Sequence, residues 1–361
     1  MAVAVACTSL PLLLSGCVSF GPPLLGRDQL GYTQAMADAE KRQTLLNIVL
    51  LRYGDTPTFL DTTQVISGYQ LQRSLTGSFS VFPAANPSTF LNGGGAVQLQ
   101  ENPTVTFQPV TGENFAQRVL RPLSPIELLP LVEGGLPIDV LFHLAVQSVN
   151  GMSNAAAFGH QQSGAGSPDF FLLVHDLHTL QHAGLLSVRL EQARKARGGG
   201  KEAEAPQRAL LFLAPTSDPA LAAALDEARR LLGLSPRATE AEVVYGRWSP
   251  GPGQVSLLTR SLLGVLGQVA LQVQVPPEDV ADGRTLPTVG EVGIERRPVI
   301  LVRSGRSRPE GAFTAVEYRG KWFWVDDQDF DSKLAFTMIE ILLALGKTSA
   351  PPGTIITIPT R

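Results

Sequence analysis

The chain has 361 residues, 44% of them hydrophobic, so it is long enough for two or three domains and apolar enough to bury real cores. Only 17% are charged, and 29 basic against 32 acidic side chains leave a formal charge of -3, which excludes a basic field for nucleic acid or anionic lipid headgroups. Both cysteines, Cys7 and Cys17, lie near the amino end, which excludes a disulfide framework, a thiol nucleophile and a cysteine-ligated zinc site from the rest of the chain.

Residues 1–14, MAVAVACTSLPLLL, are uncharged and mostly apolar, and no charged residue precedes Arg27. The run is too short to cross a hydrocarbon core of ~30 Å as a lasting helix, and its length suits the apolar region of a secretory signal. It leads into Leu14-Ser15-Gly16-Cys17, which resembles the lipobox of bacterial lipoproteins. The resemblance covers those four residues and the run before them. It implies cleavage ahead of Cys17, a diacylglycerol on the Cys17 thiol and an acyl chain on the new amino group. Two or more acyl chains make such anchoring stable. By the sorting rule of proteobacterial members of that family, Val18 in place of Asp implies the outer membrane, with the body facing the periplasm. Residues 18–33, with Gly-Pro-Pro at 21–23, read as a tether.

The spacing of Leu45, Ile48, Val49 and Tyr53 predicts a first helix over about 33–53, stopped by Gly54 and Pro57. Arg52-Tyr53-Gly54-Asp55 then reads as a dipole-favoured arginine and a glycine cap rather than a partner surface. Residues 58–82 and 96–109 are β-rich, with ANPSTFLNGGG at 85–95 as the loop between them. No GK[ST] follows Gly93-Gly94-Gly95, so the glycines are assigned to that loop and not to a phosphate cradle. Ser124-Pro-Ile-Glu127 is a capping box opening a helix to Gly134-Gly135, and Pro137 opens another that closes near Asn150-Gly151.

Ser167-Pro168 starts a helix ended by Gly184, and LLSVRL and ALLFLA then form a hairpin whose charged, glycine-bearing tip, 193–207, reads as flexible. Further on, AEVVYGRW reads as a strand, SLLTRSLLGVLG as a helix and QVALQVQV, at 268–275, as a half-buried strand by its alternation. PVILVR, AFTAVEY and KWFWV form a meander turning on Arg319-Gly320. A helix over about 331–345 and a final strand TIITI complete the pattern.

All five histidines, His143, His160, His175, His178 and His182, fall within forty residues. His178 and His182 have the i,i+4 spacing that lets two imidazoles share zinc, and His175 lies one turn earlier. On a helical wheel the three span an arc of about 60°, opposite Phe170, Leu173, Leu177 and Leu180. No Glu occupies the second position of an H-E-x-x-H pattern, so a solvated polar face is the preferred reading over a zinc site. Asp327-x-Asp329-x-Asp331 begins like a calcium loop but places Ser332 and Met338 where an EF-hand needs Gly and Glu. Asp329 or Asp331 is instead expected to cap the helix after it. No G-x-S-x-G elbow or S-x-x-K pair points to a hydrolase.

These readings predict an α+β protein, with antiparallel or mixed sheets packed by amphipathic helices in two or three subdomains. The expected divisions are a signal over 1–16, an acylated tether over 17–33, an α+β region over 34–150, a helical region with a long hairpin over 151–240 and an α+β domain over 241–361. The expected function is an outer-membrane lipoprotein with a periplasmic binding or assembly role. Its partners are membrane lipid, through Cys17, and envelope proteins, with no nucleic acid and no cofactor besides the covalent lipid. The alternatives are a lipid-anchored periplasmic enzyme, metal-dependent through the histidine or aspartate cluster, and a lipoprotein subunit of a secretion or pilus complex.

Overall fold

The computed structural model describes residues 22–81, 89–154, 166–192, 207–249, 251–290, 297–347 and 356–359. The chain opens with α1 (Pro22–Arg52), runs through a long β-hairpin, β1 (Leu60–Val81) and β2 (Thr89–Pro109), and turns through α2 (Gly112–Phe115) into a π-helical turn over Ala116–Leu120. Short helices α3 (Pro125–Leu128) and α4 (Pro130–Glu133) precede α5 (Ile138–Ala145), β3 (Val146–Val149) and β4 (Met152–Ser153). Next come α6 (Pro168–His182), β5 (Leu186–Gln192), β6 (Gln207–Leu213), α7 (Pro219–Leu231) and β7 (Glu240–Tyr245). The remaining elements are β8 (Gln254–Thr259), α8 (Leu262–Ala270), α9 (Pro277–Ala281), β9 (Val302–Gly305), β10 (Ala312–Tyr318), β11 (Lys321–Asp326), α10 (Phe330–Lys347) and β12 (Ile356–Pro359). The fold is α+β.

Two compact units divide the chain, one of Met1–Pro57 with Pro122–Ala344, the other of Thr58–Arg121 with Leu345–Arg361. The first unit holds a six-stranded sheet of order β4-β3-β8-β7-β6-β5, in which only β7 and β8 run parallel, and a three-stranded meander of order β10-β11-β9. Helix α6 packs on α5 and α7, while α8 packs on α5 and α1, and α1 lies against β10. The fully buried side chains Leu45, Ile48, Leu141, Leu144, Phe170, Leu173, Phe323 and Phe336 come from α1, α5, α6, β11 and α10, the helices and the meander. The expected divisions at 150/151 and 240/241 fall within the six-stranded sheet, which takes strands from both sides of each.

Helix boundaries obey local chemistry. Ser124 Oγ accepts from the Ile126 N–H while Glu127 Oε2 accepts from the Ser124 N–H, and Pro130 divides the stretch from Pro125 to Glu133 into two single turns instead of one helix. Asp218 Oδ1 accepts from the Ala220 and Leu221 N–H groups and Pro219 takes the first helical position, starting α7, a helix that the sequence reading did not assign. The β10–β11 turn carries Arg319 and Gly320 at φ 52° and 72°, the left-handed pair that a two-residue hairpin demands.

Several expectations are corrected. Helix α1 begins at Pro22, inside the stretch read as a tether, because proline is favoured in a first helical turn. Gly93, Gly94 and Gly95 are not in a loop but paired in β2 with Gly77, Thr76 and Leu75. The segment 256–267 is not one helix, since β8 ends at Thr259 and Ser261 Oγ, accepting from the Gly264 N–H, caps α8. Residues 268–270 finish that helix, so QVALQVQV is not a strand, and the helix read after Pro137 ends at Ala145, where β3 begins.

The second unit is built on the hairpin. Strands β1 and β2 of 22 and 21 residues pair along their whole length from Leu60↔Pro109 to Val81↔Thr89, with one bulge between Thr62 and Gln64. The final strand β12 is antiparallel to β2 over Thr104 to Phe107. Arg118 clamps Asp61 at the base of β1 through two contacts, Nη1 to Oδ2 at 2.5 Å and Nη2 to Oδ1 at 3.2 Å. Phe59 and Phe115 pack beside it with ring centroids 6.0 Å apart.

Candidate functional site

The histidines of α6 line a cleft of about 370 Å³ in the first unit. Phe170, Leu173, Leu177 and Leu180 are buried, which turns His175 and His182 outward and leaves His178 half-buried. The His178 and His182 rings stand edge to face with centroids 4.6 Å apart. Helix α5 supplies Asp139 and His143 to the same cleft, the loop before β9 supplies Arg297, and the first turn of α10 supplies Asp331. His178 Nε2 lies 3.7 Å from Asp139 Oδ1, His143 Nδ1 is 2.7 Å from the Asp139 carbonyl, and Arg297 pairs with Asp331 at 2.9 Å. The cleft thus brings the three α6 histidines to Asp331 but not to Asp327 or Asp329, and adds Asp139, His143 and Arg297, which carry no local motif.

Among the described residues, no three His, Cys, Asp or Glu side chains converge so as to hold a metal ion. The aspartates are instead engaged one by one. Asp329, at the N-cap of α10, accepts from the Ser332 N–H at 3.1 Å and the Ser332 hydroxyl at 2.6 Å, whereas Asp327 pairs with Lys333 at 2.8 Å and Asp331 with Arg297. Replacing Asp329 by alanine is expected to cost about 1 kcal/mol in thermal unfolding, equally with calcium or with chelator. A loss seen only with calcium present would assign the cluster to the metal.

Asp176, on the inner side of α6, is a buried carboxylate whose Oδ2 has no hydrogen-bond partner among the described residues. Burial raises its pKa, His175 opposes the rise and Glu227 adds to it. The folded protein therefore holds this proton to higher pH than the unfolded chain, and stability falls as pH rises from 3.8 through the folded value. Asp176→Asn is expected to raise the melting temperature at neutral pH, with the gain vanishing below pH 3.8. Melting curves across pH check it.

At the end of α1, Arg52 and Tyr53 form a buried polar node. Arg52 donates to the Val273 and Leu286 carbonyls at 3.3 and 2.6 Å, and burial lowers its pKa to about 10. Tyr53 donates to Asp279 Oδ2 at 2.7 Å, and Asp55 accepts from Tyr318. These residues join α1 to the loops around α9 and to the meander, so the stretch at 52–55 is structural.

The hairpin of the second unit presents a different kind of site. Beyond the part of β2 covered by β12, the ribbon is two-stranded, and among the described residues both edges lack a neighbouring strand out to Val81 and Thr89. A two-stranded ribbon is marginal in water, and open edges are templates for further strands. Cys17, His160 and the stretch 193–206 lie outside the described residues, and no described helix is long and apolar enough to cross a membrane. Compared with protein-family models, with curated proteins and with solved structures, the chain matches none.

Proposed function

We propose that this chain is a lipoprotein acylated at Cys17, held at the outer membrane, and that it works as an assembly subunit of an envelope complex. The observation that carries the assembly role is the ribbon, whose open edges extend over most of two strands of 22 and 21 residues. Edges of that length favour a binding partner that adds strands. The LSGC motif supports the anchor.

The test places a photo-crosslinking amino acid at Gln72 and at Gln98, one on each strand of the ribbon, in cells. Covalent adducts of defined mass at both positions are expected. Recovery of uncrosslinked single chains from the membrane overturns the assembly role. Mass spectrometry of the mature chain is expected to find a diacylated, N-acylated Cys17 and no residues 1–16, and an unmodified Cys17 overturns the anchor.

A second reading, a lipid-anchored periplasmic enzyme, is favoured by the cleft that joins His175, His178 and His182 with Asp331. His178 and His182 supply two of the roughly four ligands that zinc takes. Heat on zinc titration that is lost in His178→Ala supports this reading, and no heat at micromolar metal removes its metal-dependent form.

A further inference from the structure

We propose that the outer part of the hairpin spans a lipid bilayer, as one repeat of a β-barrel closed by further copies of this chain. The inference rests on the assembly reading above and commits it to a membrane and to identical partners. Four observations carry it: strand register, residue pattern, charge and length.

Successive positions of a strand alternate between its two faces, and the register fixes which positions of β1 and β2 share a face. Leu71, Leu75, Phe79 and Val81 fall on one face with Leu91, Val97 and Leu99, interspersed with Gly77, Gly93 and Gly95. The opposite face carries Gln70, Gln72, Ser74, Thr76, Ser78 and Ser80 opposite Gln100, Gln98, Ala96, Gly94, Asn92 and Phe90. Apart from Arg73 and Thr89 one face is apolar, and apart from Ala96 and Phe90 the other is polar or glycine and uncharged, which is the pattern of a barrel strand between lipid and lumen.

No Asp, Glu, Lys or Arg occurs between Arg73 and Glu101, a stretch that contains the whole outer hairpin. A ribbon in water gains nothing from lacking charge, and soluble edge strands carry charges to prevent pairing. In hydrocarbon the same lack is required. Arg73 occupies the apolar face between Leu75 and Leu71, and Tyr69 follows Leu71 toward the base on that face; both are residue types that favour the level of the headgroups.

Beyond Arg73 the uncharged described part of β1 runs over residues 74–81, eight residues against the ~9–11 that a tilted strand uses to cross the membrane. At ~3.3 Å per residue and ~45° tilt this covers roughly 19 Å of the ~25 Å height of an outer-membrane apolar band. A single hairpin cannot stay in hydrocarbon, because its edge N–H and C=O groups would be unpaired. Copies of the same hairpin supply strands of the same length and pattern to both edges, and closure into a barrel removes the edges altogether.

The test uses the full acylated chain, extracted from outer membranes and reconstituted in phosphatidylethanolamine and phosphatidylglycerol vesicles. Single cysteines at Ser74, Leu75, Thr76, Ser78 and Phe79 carry an environment-sensitive fluorophore. Blue-shifted emission quenched by lipid-borne nitroxide is expected at Leu75 and Phe79, with quenching by aqueous iodide at Ser74, Thr76 and Ser78. In parallel, Leu75→Asp is expected to abolish vesicle leakage, while Thr76→Asp keeps it and shifts ion selectivity toward cations. Iodide quenching at every position overturns the proposal. Protection from iodide without nitroxide quenching also overturns it, while leaving strand-adding assembly in the aqueous phase intact. Loss of crosslinks at Gln72 and Gln98 would instead remove the assembly reading itself.

Discussion

Arg260→Ala is expected to destabilise the first unit by about 3–5 kcal/mol, because it removes a buried cation from a set of buried and part-buried carbonyls. Arg260 comes directly after β8 and is 4% exposed. Its Nη1 donates to the carbonyls of Val146, Leu144 and His143 at 2.6, 3.2 and 3.3 Å, and its Nη2 reaches Gln268 Oε1 at 3.4 Å. The last carbonyls of a helix have no partner within it, and here α5 ends directly in β3 with no glycine cap to satisfy them. Arg260 and Asn154, which donates to the Phe142, His143 and Val146 carbonyls, take that role. Burial lowers the guanidinium pKa to about 10, which still leaves it charged at neutral pH. Urea unfolding gives the loss, and a value below about 1 kcal/mol would show that the carbonyls find other partners.

Asp279→Asn is the second large effect, expected to cost roughly 1–3 kcal/mol at neutral pH. Asp279 is buried on α9, accepting from Tyr53 at 2.7 Å and from Lys321 at 2.9 Å, with Arg284 at 3.4 Å. Burial alone would raise its pKa, but the hydrogen bonds from Tyr53 and Lys321 and the charges of Lys321 and Arg284 outweigh it and hold the carboxyl below its ordinary 3.8. The unfolded chain therefore binds this proton first, and the stabilisation is present above pH 3.8 and lost as pH falls through the folded value. The gap in melting temperature between the wild-type chain and the Asp279→Asn variant is expected to close in acid. A gap independent of pH would assign the effect to shape and not charge.

Sequence reading recovered those elements that carry their own boundary signals. The helix from Pro168, the hairpin on Arg319-Gly320 and the acidic cap of α10 each have a turn or cap residue beside a clear apolar period. It failed where burial on all sides erased the period. Gln268, Val269, Ala270, Gln272 and Val273 are all buried, so polar residues there mark no solvent face, and Gln272 Oε1 accepts from the Val299 N–H inside the core. The run from Ser256 to Gly267 hid a strand-to-helix change for the same reason, with the Ser261 cap as the one local clue. Helix α7 was legible in Asp218-Pro219, the same kind of signal as Ser124-Pro125, and was passed over.

The site was legible in part. The three histidines of α6 share a face by spacing alone, but tertiary packing brings in His143, Asp139 and Arg297, whose sequence positions are unrelated. The ribbon was hidden by its glycines, read as loop because glycine is rare in strand interiors. Pairing Gly93 with Gly77 restores them to the sheet and exposes the two-faced pattern.

In the proposed assembly the ribbon is the element that makes this chain a subunit. Native mass spectrometry of the protein released from membranes in mild detergent compares the intact chain with one in which residues 74–100 are replaced by a short Gly-Ser turn. A multi-subunit particle is expected for the intact chain and a single chain for the shortened one, with the melting of the first unit unchanged. Equal single-chain masses for both would contradict it.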